Sequence, residues 1–191
     1  EEYEEYEGWP YTTHAQDLVD HPKWNAKRYA IEIVTNYGEY YEPFTLEQYT
    51  RMTCSVINID WMPHLRKVFT DWTSAMLVNL DQYKEQYKQA LANAETMSDT
   101  YFYVDMLNFT VEFDLLDLNN VNLNVATKKV KHVVSKAIVV NWAGKAVPDC
   151  NGLSFYWPGN QSAWYSARDN YLLVNWAQAT GWANFLDAYF T

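Results

Sequence analysis

The chain has 191 residues, 49% of them hydrophobic and 20% charged, which is length and apolar content enough for one ordinary domain with a packed core. Its 24 acids against 14 bases leave a formal charge of -10, a field that repels phosphate backbones and argues against a nucleic-acid partner. No apolar run approaches the roughly 20 residues that cross a bilayer, so no membrane span is expected.

Residues 1–12 read as an acidic loop, because Glu1-Glu2-Tyr3-Glu4-Glu5-Tyr6-Glu7 runs into Gly8, Trp9 and Pro10. His21-Pro22 marks a boundary, since the residue before proline avoids the helical region. From Asn25 to Tyr41 the apolar positions Ala30, Ile33, Val34, Tyr37, Tyr40 and Tyr41 recur at helical spacing; Gly38 weakens the last turn and Pro43 prevents continuation. Met52 to Ile59 is rich in β-branched residues and predicts a strand. Asp60 then suits a helix N-cap and Pro63 a first turn. The stripe Leu65, Val68, Phe69, Trp72, Met76 and Leu80 predicts one long helix from Trp61 to about Asn93.

Ser98 or Asp99 is a candidate cap, and Val104 to Leu118 reads as a helix ended by Asn119-Asn120. Val121 to Ala137 reads as another helix, although its valines also suit a strand. Short strands are predicted at Ile138–Asn141 and at Gly152–Trp157, the latter closed by Pro158-Gly159. An aromatic-rich stretch from Tyr171 ends in a helix around Trp182–Tyr189. The expectation is a single domain over residues 1–191, mixed α/β with helices dominating.

Chemistry-bearing motifs are sparse. His14, His21, His64 and His132 are scattered, and neither metal-ligand spacing nor a phosphate loop occurs. Cys54, inside a predicted strand, reads as a small core hydrophobe. Cys150, beside Asn151-Gly152, is expected to be more exposed, with nothing near it to depress its pKa. Whether the two pair is left open. Lys128, Lys129, Lys131 and His132 form the one basic cluster and read as a solvated helix face. Asn108-Phe-Thr and Asn160-Gln-Ser permit glycosylation outside a cell. With 16 Tyr and 9 Trp, many rings are expected at the surface or at an interface with another chain. The acidic opening has two readings: a pocket in which carboxylates and rings receive a cationic side chain, or a solvated acidic loop. An acidic chain favours basic peptides or metal ions as partners.

Five collinear segments resemble the clostripain-like cysteine peptidases, relatives of caspases, gingipains and legumain. Glu1 through Tyr11 is similar to a family Glu-x-Glu-Pro-Gly-x-Gly-Trp-x-Tyr stretch, with Glu5-Tyr6 standing where the family has Pro-Gly. Thr53-Cys54-Ser55-Val56-Ile57-Asn58-Ile59-Asp60 is similar to Thr-Leu-Ser-x-x-Asp-Leu, and Val104-Asp105-Met106-Leu107-Asn108-Phe109 to Val-Asp-Leu-Tyr-Asp-Phe. The most specific is Asn151-Gly152-Leu153-Ser154-Phe155-Tyr156-Trp157-Pro158, close to Asn-Gly-Leu-Ser-Ile-Tyr-Phe-Pro. Thr180, Trp182, Phe185, Leu186 and Tyr189 match a closing Thr-x-Trp-x-x-Phe-Leu-x-x-Tyr.

The resemblance implies the C-terminal part of a caspase-like α/β/α sandwich with a mostly parallel sheet. It implies a secreted, proteolytically processed endopeptidase that cleaves after Arg or Lys. The family's catalytic His and Cys fall before Glu1, so the reading expects a longer protein or a partner segment to supply them, and no residue here is carried over as nucleophile or base. What is carried over is substrate recognition: Glu7 first, Glu4 second, and Trp9 as a wall of the pocket for the basic side chain. No cofactor is required by the resemblance, and calcium is left open, as is association of several copies. The alternative is a non-catalytic assembly or binding module that keeps the scaffold.

Overall fold

The computed structural model describes residues 8–97 and 102–191. Pro10 begins the first helix, α1 (Tyr11–Asp20), so the loop expected through residue 12 gives way to helix at Tyr11. The candidate caps Ser98 and Asp99 lie outside the described residues. α2 (Ala26–Tyr41) starts where expected, with the Asn25 side chain accepting the Arg28 N–H at 2.9 Å. A single turn, α3 (Glu47–Thr50), leads into strand β1 (Thr53–Ile57). Asn58, rather than Asp60, then caps the chain: its side chain takes the Asp60 N–H at 3.0 Å over a 3-10 turn, Ile59–Trp61. Pro63 sits in the first turn of the next helix, as expected.

The predicted long helix is two helices, α4 (Met62–Val78) and α5 (Leu80–Asn93). Asn79 separates them. Its amide donates back to the Ala75 carbonyl at 2.7 Å, and its side-chain oxygen accepts from Asn120 at 2.7 Å. The first bond takes the carbonyl that the helical ladder would use. The predicted helix at Val104 is preceded by a short strand, β2 (Tyr103–Asp105); helix α6 (Met106–Leu115) begins only after Asp105, whose carboxylate caps the Asn108 N–H at 2.8 Å. α7 (Val121–Ala137) is capped by Asn120 and runs directly into β3 (Ile138–Ala143). After β4 (Ser154–Tyr156) come α8 (Gln161–Tyr171), α9 (Asn175–Thr180) and α10 (Trp182–Phe190). Gly181, at φ +69°, turns α9 into α10 in a left-handed conformation that favours glycine.

The protein is therefore mixed α/β and helix-rich. β1 pairs antiparallel with β3, with an irregularity between Val56 and Ile57, and β2 pairs antiparallel with β4. Among the described residues both strand pairs are antiparallel, whereas the resemblance implies a mostly parallel sheet. Two clusters of buried side chains form the interior. The larger gathers α4, α5, α6, α7, β4 and α10; the smaller packs Val34, Tyr37 and Tyr41 of α2 against Tyr49, Met52 and Cys54.

The aromatic residues depart from expectation. Among the described residues only Tyr11 and Tyr165 have exposed rings. Trp72, Trp157, Trp164 and Trp182 are fully buried, and Phe69, Phe109, Phe155 and Phe185 meet Trp72, Trp157 and Trp182 edge to face. Edge-to-face geometry lets large rings fill a small core, each pair adding about 0.5–1.5 kcal/mol beyond burial. Their polar atoms are met as well: Trp72 Nε1 donates to Thr127 Oγ1 at 3.0 Å and Trp182 Nε1 to the Tyr156 carbonyl at 2.7 Å.

Candidate functional site

The N-terminal Gly-Trp-Pro segment lies on α2. Tyr41 donates its hydroxyl to the Gly8 carbonyl at 2.7 Å, and the Trp9 ring meets Tyr37 and His14 edge-on at 5.3 and 5.8 Å. Trp9 is thus a half-buried wall of the smaller cluster. Glu4 and Glu7, the expected carboxylates, lie outside the described residues. Behind Trp9, Tyr37 touches Trp142 of β3 at 5.8 Å.

Trp142 in turn helps form a groove of about 330 Å³ between Val34, Thr35, Gly38, Glu39 and Glu42 of α2 and Val140, Asn141 and Trp142 of β3. Gly38 is what lets the two elements meet: a Cβ there would sit 2.5 Å from the Trp142 ring. Sequence reading treated Gly38 only as a weak point in a helix. Its position within Thr35-x-x-Gly38-Glu39-x-x-Glu42, with the polar residues at i, i+4 and i+7, was the available sign of a lined face. Glu39 and Glu42 are both exposed at the rim, and Glu42 pairs with Lys145 at 3.2 Å.

A second constellation lies where three of the family-like segments meet. Asp105 is fully buried. It accepts the backbone N–H of Asn151 at 2.5 Å and its side-chain amide at 3.1 Å, besides capping α6. Burial pushes the Asp105 carboxyl above the usual aspartate range, against the pull of these hydrogen bonds. Next to it Gly152 takes φ +102°, and a Cβ there would lie 2.4 Å from the Ser55 Cβ. Ser55 donates its hydroxyl to the Gly152 carbonyl at 3.1 Å, and Asn141 donates its amide to the Cys150 carbonyl at 2.7 Å. The arrangement ties β1, β2, β3 and the chain leading to β4 into one knot; every bond in it serves the scaffold.

Both cysteines are buried. Cys54 and Cys150 are not disulfide-bonded, and each is at most 3% exposed. Cys150, expected at the surface, instead meets the Met97 sulfur at 3.1 Å. Burial, reinforced by Asp105, Glu95 and Asp149, pushes its thiol well above the usual range, the opposite of what a reactive thiolate needs.

His14 is buried, and its pKa is lowered by that burial despite Asp17 nearby. Lys128 and Lys131 of α7 both pair with the largely buried Asp114 of α6, so part of the basic cluster bridges two helices rather than lying on a solvated face. Of the two glycosylation triplets, Asn160 is exposed at the cap of α8. Asn108 is not available in the fold: its side-chain oxygen holds the Glu95 N–H at 2.6 Å, and Thr110 is buried. No group of three or more His, Cys, Asp or Glu able to hold a metal ion occurs among the described residues, and no helix of the described residues is long and apolar enough to cross a membrane. No family model, curated protein or solved structure matches the chain.

Proposed function

We propose that this chain is the scaffold and substrate-recognition part of a secreted, clostripain-like cysteine endopeptidase that cleaves after Arg or Lys. The His and Cys of that enzyme come from a segment outside these residues, and the chain contributes its part of a caspase-like sandwich. The observation that supports the reading is convergence: segments resembling the family at Ser55, Asp105 and Asn151-Gly152, far apart in sequence, are bonded to one another in space. The closing segment agrees, since Thr180, Trp182, Phe185, Leu186 and Tyr189 are all buried in the larger core. Residues that resemble a family because they build its scaffold are expected to meet in this way.

In this reading Glu7, with Glu4 as second choice, receives the basic side chain, and Trp9, anchored on Tyr37, forms one wall. A carboxylate paired with a substrate guanidinium through charge-assisted hydrogen bonds contributes about 1.5–3 kcal/mol, enough to set specificity. The test is cleavage by the chain joined to a His- and Cys-bearing segment of the same protein, assayed with and without calcium. Arg- and Lys-containing peptides are cut, a thiol alkylator abolishes the activity, and Glu7→Gln lowers selectivity for basic residues by roughly tenfold or more without lowering the melting temperature. An alkylator-insensitive or absent activity rejects the enzyme.

The second reading, a non-catalytic structural or assembly module that keeps the scaffold, is favoured by one observation: both strand pairs are antiparallel among the described residues. It predicts an assembly of several copies that cleaves no peptide and holds no His–Cys pair.

A further inference from the structure

β3 has one partner strand, β1, among the described residues. α2 packs across both strands, and the groove beside it is lined by β3 and α2 but by no residue of β1, which puts it on β3's side of that contact. A strand edge of this kind carries backbone donors and acceptors ready to pair with an added strand. Here the edge has walls: Val34, Val140 and Trp142 supply apolar surface, and Gly38 holds the helix close to the Trp142 ring. The volume is at the lower end of ligand sites, which run from about 300 to 1,000 Å³.

The rim chooses the occupant. Glu39 forms no ion pair among the described residues, and Glu42 shares its charge with Lys145 alone, so two carboxylates face one ammonium. In a chain of net charge -10 this disfavours a second copy, which would bring its own acidic surface to the edge. It favours an extended peptide with a cationic side chain.

We propose that the groove between α2 and the outer edge of β3 binds one extended peptide by strand addition, backbone to Val140–Trp142, with a Lys or Arg of the peptide beside Glu39. The binding needs no peptidase chemistry, so it stands or falls separately from the cleavage assay above.

The experiment titrates the isotopically labelled 191-residue chain with the synthetic peptide acetyl-Thr-Val-Arg-Val-Thr-Val-amide and follows backbone amide shifts. Saturable shifts are expected at Val140–Trp142 and along Thr35–Glu42. Replacing the peptide arginine by glutamate weakens binding roughly fivefold, and Glu39→Gln removes most of that difference, the scale of a partly exposed ion pair. Two N-methylated peptides probe the backbone: methylation of the amides on one edge weakens binding at least about tenfold, while methylation on the other edge does not. Glu39 is exposed, and an unchanged circular dichroism spectrum shows that the variant is folded. The proposal is overturned by shifts that map elsewhere or never saturate, by equal effects of the two methylated peptides, or by discrimination that survives Glu39→Gln. Concentration-dependent shifts of the same amides without peptide would place a second copy there and overturn it as well.

Discussion

Gly152 shows how much one missing methylene group decides. Its φ of +102° lies where side chains are strained, and Ser55 leaves no room for a Cβ. Strain and overpacking each cost about 1–3 kcal/mol, so Gly152→Ala is expected to destabilise by about 2–6 kcal/mol, read as a lowered urea midpoint with unchanged slope. The sequence placed Gly152 at the head of a strand but carried no sign of Ser55, 97 residues away, pressing on it. Asp105 was hidden for a similar reason. Read alone, Val104-Asp105 continues an apolar helical stripe; only the bonds from Asn151 and Asn108 reveal the carboxylate as a cap and a tie.

Among the elements, α2 and α7 were legible in their bounds, and the structure adds that Asn25 and Asn120 cap them. The break at Asn79 was not, because the side chain that takes the Ala75 carbonyl is met by Asn120 from another part of the chain. α8 was missed because its apolar face is narrow and its attachment is polar. Asp187 of α10 accepts from Trp164 Nε1 at 2.9 Å and holds Arg168 of α8 through two bonds at 2.7 and 2.8 Å. The Arg168 pairing keeps the Asp187 carboxyl below the usual aspartate range. Its contribution is therefore present above the ordinary aspartate pKa and lost as pH falls through the lowered value. Asp187→Asn should lower the urea midpoint at pH 7 and make little difference near pH 2, with the two curves merging below about pH 4. A constant offset across that range would mean the carboxylate's charge contributes nothing to docking α8 on α10.

Over the whole molecule, composition announced the wealth of aromatic residues but not their destination. Surface placement was the expectation because each ring was counted as a separate volume; the structure interleaves them, many edge to face and others tilted or stacked, which counting cannot foresee. The candidate groove was likewise invisible, since its two walls come from residues about a hundred positions apart and its floor from Gly38. Trp182 lies at the centre of this packing, against Phe69, Trp72, Phe155, Trp157 and Phe185. Trp182→Ala should cost about 3–5 kcal/mol in chemical denaturation, and a cost below about 1 kcal/mol would contradict a single cooperative core.

Within that centre Trp72 and Trp182 lie nearly parallel, 6° between planes and 6.1 Å between centroids. Two indoles held so close and so aligned share their electronic transitions, and the folded chain thereby carries its own optical signature. Because one ring comes from α4 and the other from α10, that signature vanishes when the C-terminal helix lifts away, even while the remaining helices stay wound.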